Sequence, residues 1–173
     1  PVVEYLPDFP YRDITVSHLL SHTSGLPPYN ACFNFEASPG RVFTNADFLP
    51  GLKANPRPLL YEPGSKGNYD NVNYIVLALL LERVAQQPHQ AYIREQILAP
   101  SGMRETYFEP VCRQTDTTVV RAAFAHPYLR PTRYQSPIPA NSVPFIRQYW
   151  CAYQFSGFGE YVSTVADLHR YVR

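Results

Sequence analysis

YEPGSKGNYDNVNYIVLALLLERV, residues 61–84, changes from a turn to an apolar helix within one stretch. The first half is rich in proline, glycine, serine and asparagine, which interrupt regular structure. From Leu77 to Val84, apolar residues follow i, i+3, i+4, i+7 spacing, and further apolar residues fill the positions between them. Such a helix is apolar nearly all round, so we predict that residues 71–87 form a central, buried helix.

Tyr69 and Asn71 stand two residues apart where the turn meets this helix. If the turn is extended, residues i and i+2 project to the same side, and the phenol and the amide face one cleft. A tyrosine in this position is more often a packing residue than a catalytic one, since a free phenol is a poor base at neutral pH. Nearby cations and the positive end of the helix would favour a phenolate there. The residues alone leave both roles open.

The composition is typical of a folded globular protein and excludes several classes of partner. The chain has 173 residues, of which 45% are hydrophobic and 17% charged. A net charge of +1 gives no reason to expect a nucleic acid or an anionic membrane as partner. The longest apolar run, Tyr74 to Leu81, is too short to span a bilayer.

The sequence before this helix predicts short helices separated by loops. Residues 1–12 are interrupted by proline and are expected to be extended. Asp13 or Thr15 is expected to begin a short helix, and Gly25 fits the left-handed residue that ends it. Residues 29–43 are predicted to be loop.

Two more helices are expected in the middle of the chain. Thr44 or Asn45 can begin one, although Pro50 argues against a long helix there. Pro88 opens another, which the segment 100–102 ends.

The C-terminal third is predicted to be a long loop followed by a strand and a helix. Residues 109–155 show no clean period and are rich in proline and aromatic residues, which is typical of a functional loop. After it, GEYVSTVADLHRYVR reads as a short strand and a helix. Ser163 or Thr164 is expected to cap that helix, and Asp167 supplies a carboxylate to its first turn.

Several residue patterns could indicate a metal or a nucleophile, and each has an ordinary explanation. His18 and His22 have metal-ligand spacing and would project together from one helix, but no third ligand is evident. We therefore expect solvated histidines, or histidines bonded to a neighbouring loop carbonyl, and no cofactor or metal. Ser24 is expected to terminate a helix, not to act as a nucleophile. The three cysteines lack metal-binding spacing and are predicted to be free thiols.

Three segments, ITVSHLLSHTSGLPPY, YEPGSKGNYDNVNYIVLALLLERVAQQPHQAYIREQILAPSGMRETYF and GFGEYVSTVADLHRYV, together carry a family resemblance. The chain resembles the serine β-lactamase-related family, which includes class C β-lactamases, D-alanyl-D-alanine carboxypeptidases and related esterases. The resemblance implies an α+β fold of the β-lactamase/transpeptidase type. This chain would supply mainly the helical lobe and active-site loops, with little sheet.

The resemblance also gives roles to Tyr69 and Asn71, which match the family's Y-x-N element. Tyr69 would be the general base or would protonate the leaving atom, and Asn71 would hydrogen-bond the substrate amide or hold a lysine. The family's S-x-x-K element is absent, the nearest sequences being SPGR at Ser38 and SGMR at Ser101. The K-T-G or H-x-G strand is absent as well.

Both absent elements would lie beyond the ends of this sequence, which begins at Pro1 and stops within a helical pattern. We therefore expect residues 1–173 to be part of a larger β-lactamase-related domain and to be inactive alone. An apolar surface left by the missing sheet would favour association. The resemblance implies a small-molecule or peptide substrate and favours an exported or cell-envelope location.

Two other functions remain open from the sequence. A non-catalytic relative could bind a peptide or a glycan with the same cleft. An adaptor that presents PYLRPTRYQSPIP, within residues 109–155, as a proline-rich ligand is less favoured, because no clear P-x-x-P core is present.

Overall fold

The structure is a computed structural model that describes residues 1–34, 36–38, 40–108, 128–129, 136, 138–139, 143–144, 152–159 and 161–173. Its helices are α1 (Val16–Leu20), α2 (Tyr29–Cys32), α3 (Asn45–Ala54), α4 (Val72–Ala85), α5 (His89–Ile93) and α6 (Val165–Tyr171). A 3₁₀ turn covers Val2–Glu4, and a π turn, Arg94–Leu98, continues α5.

The strands are short and pair in twos. They are β1 (Phe43–Thr44), β2 (Tyr107–Phe108), β3 (Tyr128–Leu129), β4 (Ile138–Pro139), β5 (Tyr153–Gln154) and β6 (Tyr161–Val162). β1 pairs with β5 in parallel, whereas β2 pairs with β6 and β3 with β4 in antiparallel register. The described chain is thus rich in helix and poor in sheet, as predicted for an α+β fold of which this is the helical part.

The hydrophobic core surrounds the first half of α4. Val72, Ile75 and Val76 of this helix are completely buried. The core is completed by buried side chains from all parts of the described chain: Val2, Leu6, Phe9, Ile14, Leu19, Leu26, Cys32, Phe33, Phe43, Phe48, Leu52, Ala152, Tyr153 and Phe155. The prediction of a central helix is confirmed for this half. The second half is more open, since Val84 is exposed and Gln86, with φ of 54°, ends the helix in the left-handed conformation.

Two segments that were predicted to lack helix contain short turns of it. Residues 2–4 form a 3₁₀ turn, because Val2 is buried and its N–H donates to the carbonyl of Ile14. Residues 29–32 form α2, which places Cys32 in the core. In both places burial of an apolar side chain outweighs the weak local preference of the sequence.

α3 runs through Pro50 and is longer than the sequence predicted. Thr44 caps it, and the side chains of Thr44 and Asp47 form a reciprocal capping box. Phe48 and Leu52 of this helix are both completely buried. The cap and the buried face offset the hydrogen bond that proline cannot make.

The end of the long segment 109–155 is part of the core, where β5 lies, which corrects the prediction of a loop there. Tyr153 and Phe155 are buried, and the Tyr153 hydroxyl donates to the carbonyl of Phe33. Most of 109–151, including Cys112 and Cys151, lies outside the described residues. The loop over the rest of this segment therefore stays a prediction.

The C-terminal strand and helix are confirmed as β6 and α6. Thr164 caps α6 by accepting the N–H of Asp167. The Asp167 carboxylate, which is fully buried, also accepts hydrogen bonds from the Glu105 N–H and the Thr106 hydroxyl. It therefore fastens α6 to the segment that leads into β2. In the described ranges, no helix is both long and apolar enough to cross a membrane.

Candidate active site

The loop that precedes α4 lies along the segment that follows α1. Three backbone hydrogen bonds join them: Leu60 N–H to Gly25 O (2.7 Å), Gly64 N–H to Thr23 O (2.8 Å) and Asn68 N–H to His22 O (2.9 Å). Residues 22–25 therefore form a support for the loop that carries Tyr69.

Gly25 is required where the two segments come closest. It has φ of +72°, and a Cβ there would lie 2.2 Å from the carbonyl oxygen of Tyr61. The left-handed glycine predicted at this position is confirmed, but it does not end the helix. α1 already ends at Leu20, and His22 itself has φ of 56°.

Asp70 and Asn71 have different roles at the start of α4. The Asp70 carboxylate accepts the N–H of Val72 at 2.9 Å, which satisfies one of the open donors of the first turn. Asn71 occupies the N-cap position without a side-chain cap hydrogen bond. Because Asp70 takes over the capping, the Asn71 amide is directed elsewhere.

The structure brings Tyr69 and Asn71 together. The Tyr69 hydroxyl donates a hydrogen bond to the Asn71 Oδ1 at 3.1 Å, so the two side chains face the same side, as the i, i+2 spacing predicted. Tyr69 is 75% exposed. A phenol and an amide are therefore presented as a pair at the open end of a buried helix.

His22 contacts Tyr69 of this pair through its ring. Its ring centroid lies 4.5 Å from that of Tyr69 and 5.2 Å from that of Tyr74. Its Nδ1 lies 3.4 Å from the N–H nitrogen of Asp70 and 3.3 Å from the amide nitrogen of Asn73. The sequence predicted a solvated histidine or one bonded to a loop carbonyl. The ring nitrogen instead accepts from a backbone N–H of the loop, because that N–H is turned towards His22 at the start of α4.

His18 and His22 do not share a helix face, which corrects one prediction. His18 lies within α1, where its Nδ1 accepts the N–H of Thr15 as part of a capping box. His22 lies beyond the end of α1 in a left-handed conformation, and the two side chains serve different segments. Within the described ranges, no three histidine, cysteine or acidic side chains are grouped so that they could hold a metal ion.

Ser24 is buried and ties the support to α4. Its hydroxyl donates to the Asn73 Oδ1 at 2.5 Å and accepts the N–H of Leu26. Asn73 also donates to the backbone carbonyl of Asp70 at 3.0 Å. The predicted helix-terminating role of Ser24 is therefore wrong, because its partner lies on a different helix. A serine that is 1% exposed and fully bonded has no access to a substrate.

The sequence pattern of the Beta-lactamase family matches the chain over residues 1–173. The chain belongs to the Beta-lactamase family. This confirms the resemblance carried by the three motif-bearing segments.

This Beta-lactamase family chain is similar to other proteins in sequence and in structure. A penicillin-binding protein of Bacillus subtilis is 34% identical over 105 residues, which are 61% of this chain and 23% of that protein. The crystal structure of a D-stereospecific amidohydrolase from Streptomyces matches 99% of this chain and 51% of its own, with a TM-score of 0.67 and 23% identity. That of a penicillin-binding protein from Bacillus halodurans matches 99% of this chain and 48% of its own, with a TM-score of 0.65 and 23% identity.

These comparisons confirm the predicted β-lactamase/transpeptidase-like fold. The match spans about a quarter of the curated relative, and the chain spans about half of the two solved structures.

The serines nearest to a family S-x-x-K element are not placed beside Tyr69 by any described contact. Ser38 lines a cavity of about 500 Å³ between α2 and α3, together with Cys32 and the ion pair of Arg41 and Asp47. Ser101 follows the π turn, where its N–H donates to a carbonyl of that turn.

Burial raises the pKa of the Cys32 thiol, which suits the predicted free cysteine of a core and not a nucleophile.

The sequence reasoning missed Asn73 as the residue that links the support to the candidate site. A signal was present, since Asn73 is a lone amide between Val72 and the apolar run that begins at Ile75. An amide that is 2% exposed in such a helix must find hydrogen-bond partners in the fold. Those partners could not be named from the sequence, because Ser24 and His22 are about fifty residues away.

Proposed function

We propose that the complete protein is a serine hydrolase that cleaves an amide or ester bond through an acyl-enzyme, with Tyr69 as the group that moves the proton. The observation that carries the proposal is the hydrogen-bonded pair of Tyr69 and Asn71, exposed at the start of α4 in a Beta-lactamase family chain. Tyr69 has little packing role here, because most of its surface is open to solvent.

The proposed chemistry uses the two side chains in succession. A serine oxygen forms a bond to the substrate carbonyl carbon, and the bond from that carbon to the leaving nitrogen or oxygen breaks. The serine proton passes to the lysine of the proposed S-x-x-K element, the Tyr69 hydroxyl gives its own proton to the leaving atom, and the lysine then restores the Tyr69 proton. Water next adds its OH to the acyl carbon and returns a proton to the serine oxygen, which regenerates the free serine. The Tyr69 hydroxyl lies 3.1 Å from the Asn71 Oδ1, an acceptor that can orient the phenol for this step.

Asn71 would hold either the substrate or the phenol, depending on the step. Its Oδ1 accepts the Tyr69 hydroxyl before proton transfer. Once Tyr69 has lost its proton, a turned amide can donate to the phenolate through Nδ2, since an amide carries both a donor and an acceptor. The same group can donate to a substrate amide oxygen.

For the substrate, we propose a small amide or peptide, with an ester as the alternative. The similar structures include a D-stereospecific amidohydrolase and a penicillin-binding protein, and both names point to acyl transfer on amide-like compounds. A β-lactam, a D-amino-acid peptide and a simple ester all present a carbonyl carbon that this chemistry can attack.

The nucleophile would come from residues outside this chain. Ser38 and Ser101 precede arginine and not lysine at the required spacing. We therefore propose that residues 1–173 alone are inactive and that residues elsewhere in the protein supply an S-x-x-K serine and a K-T-G or H-x-G strand.

Acylation measured by intact mass tests the proposal. The complete protein should gain the mass of a fluorophosphonate probe, while a polypeptide of residues 1–173 should not. In the complete protein, Tyr69→Phe should reduce turnover of a chromogenic p-nitroanilide amide, whose leaving nitrogen must be protonated, by about a hundred- to ten-thousand-fold. The matched control is Tyr61→Phe in the same loop, which should leave turnover unchanged. A complete protein that binds a peptide or glycan but is never acylated would instead be a non-catalytic relative.

We also propose that residues 1–173 alone associate through an apolar surface that further sheet would cover. α6 and its C-terminal end expose four large apolar side chains, Val165, Leu168, Tyr171 and Val172. Contiguous exposed apolar area of this kind favours association. Light scattering of the isolated polypeptide should detect dimers or larger species, and a monodisperse monomer would refute this part.

A further inference from the structure

We propose that His22 is the positioning residue for Tyr69, an inference that rests on the proposed function. His22 contacts residues 68–70, here called the Tyr69 turn, through its backbone, its ring nitrogen and its ring face. Each contact restrains a different part of the turn, and together they fix where the phenol points.

The backbone contacts hold the chain on both sides of Tyr69. The carbonyl oxygen of His22 accepts the N–H of Asn68 at 2.9 Å. Its Nδ1 accepts the N–H of Asp70 at 3.4 Å. Because a backbone N–H can only donate, Nδ1 is an acceptor and the ring proton is on Nε2. One histidine thus binds the residue before Tyr69 and the residue after it.

The ring contact restrains the phenol itself. The rings of His22 and Tyr69 are tilted by 41° at a centroid distance of 4.5 Å, which is within the range of favourable aromatic pairs. An exposed tyrosine otherwise exchanges between staggered side-chain rotamers. The ring of His22 on one side and the hydrogen bond to Asn71 on the other favour one of them.

The conformation of His22 is held by the surrounding structure. Its φ of 56° is uncommon for a residue with a Cβ and persists only where the surroundings impose it. The Asn73 amide nitrogen lies 3.3 Å from Nδ1, and Ser24 fixes the other end of that amide. A buried network therefore fixes the ring on which Tyr69 rests.

The test uses the complete protein and two histidine variants of the same segment. His22→Asn removes the ring but tolerates positive φ and keeps a side-chain acceptor. His18→Gln is the matched control, because glutamine at this position can maintain the capping box of α1 and His18 does not contact the Tyr69 ring. We measure kcat, KM and Tm with an amino-acid p-nitroanilide, whose leaving nitrogen must be protonated, in the presence and absence of Tyr69→Phe.

A positioning role predicts that His22→Asn lowers kcat by about ten- to a hundred-fold with KM within about twofold, since misplacement of a catalytic group affects the reaction step. The same substitution should have little further effect on kcat in the Tyr69→Phe background, because the group that it positions is gone. His18→Gln should leave both constants unchanged. If His22→Asn does not fold, His22→Gly, whose backbone adopts positive φ freely, carries the same expectation.

The outcomes separate this inference from the function on which it rests. Suppose that Tyr69→Phe lowers kcat strongly. The positioning role is then wrong, and the proposed function stands, if His22→Asn leaves kcat unchanged or lowers kcat by the same factor in the parent protein and in the Tyr69→Phe variant. If Tyr69→Phe leaves kcat unchanged, the proposed function fails first. A rise in KM without a change in kcat would also refute positioning, since it would indicate a substrate contact.

Discussion

Ser24 and Asn73 are joined by a buried hydrogen bond, hydroxyl to amide oxygen, between the support segment and the central helix. The bond links residues that are 49 positions apart. The same Asn73 side chain also donates to the carbonyl of Asp70, the residue after Tyr69. Stability of the helical lobe and geometry of the candidate active site therefore depend on the same pair.

Removal of the Ser24 hydroxyl should destabilise the protein. Ser24→Ala leaves the Asn73 Oδ1 and the Leu26 N–H without their buried partner. We expect a loss of about 1–3 kcal/mol in the free energy of unfolding, measured by urea denaturation. Ser21→Ala is the control, because the Ser21 hydroxyl is exposed and bonds the backbone of its own helix. Equal stability of the two variants would contradict a structural role for Ser24.

Capping and activity should separate at the start of α4. Asp70→Ala removes the acceptor for the Val72 N–H and should cost about 1 kcal/mol of stability. Asn71→Ala removes the partner of the Tyr69 hydroxyl without removing a cap, so it should keep Tm and lose turnover in the complete protein. Thermal unfolding and ester hydrolysis, measured on both variants, check the division. A loss of stability in Asn71→Ala that matches Asp70→Ala would disprove it.

Gly25 should not tolerate a side chain. In Gly25→Ala the new Cβ meets the Tyr61 carbonyl, and the residue must also keep φ of +72°. We expect about 2–5 kcal/mol of destabilisation, from backbone strain and overpacking together. Gly40 has φ of +78°, and within the described part of the chain nothing lies within 4 Å of a Cβ there. Gly40→Ala should therefore be destabilised only by backbone strain, about 1–2 kcal/mol. Similar losses of stability in Gly25→Ala and Gly40→Ala would refute the close contact at Gly25.

The contribution of Asp167 to the stability of the fold should depend on pH. Burial raises the pKa of Asp167, but hydrogen bonds from the Thr106 hydroxyl and the Glu105 N–H and the Arg170 guanidinium outweigh burial and hold that pKa below its ordinary value of 3.8. A carboxyl group with a lowered pKa stabilises the fold above its unfolded pKa and loses that effect as the pH falls through the folded pKa.

Asp167→Asn should accordingly lower Tm at pH 7, and the difference from the parent should shrink towards pH 3. Asp8→Asn provides the comparison, since the hydrogen bond and charge of Lys53 lower the pKa of an Asp8 carboxyl that is mostly exposed to solvent. Its effect on Tm should be small and should disappear in high salt. A pH-independent difference for Asp167→Asn would show that the ionised carboxylate is not the stabilising form.

Sequence patterns predicted the parts of the fold that depend on neighbouring residues. α4 followed from its apolar spacing. For the caps of α1 and α6, residue type narrowed the choice to two neighbours each, and the structure selects Thr15 and Thr164. The family was identifiable because motifs at fixed spacing, such as Y-x-N at Tyr69, stand in one order along the chain.

What the sequence did not predict depends on contacts between distant residues. The role of Ser24 could not be inferred, because its partner lies on another helix. The persistence of α3 through Pro50 depends on core packing of Phe48, which local preference does not contain. At the candidate site, the pair Tyr69 and Asn71 was predictable from the sequence, but the network around it was not, since only the fold brings His22 to that turn.

The contact of β1 with β5 has a consequence for how this protein folds. It joins Phe43 to Tyr153 in parallel, and the Tyr153 hydroxyl reaches the Phe33 carbonyl across 120 residues of sequence. Contacts of such separation form late, because the intervening chain must be ordered before they are gained. During synthesis, the aromatic core around Phe33 therefore waits for the C-terminal third of the chain. Until then its apolar side chains stay open to chaperones and to other unfinished chains.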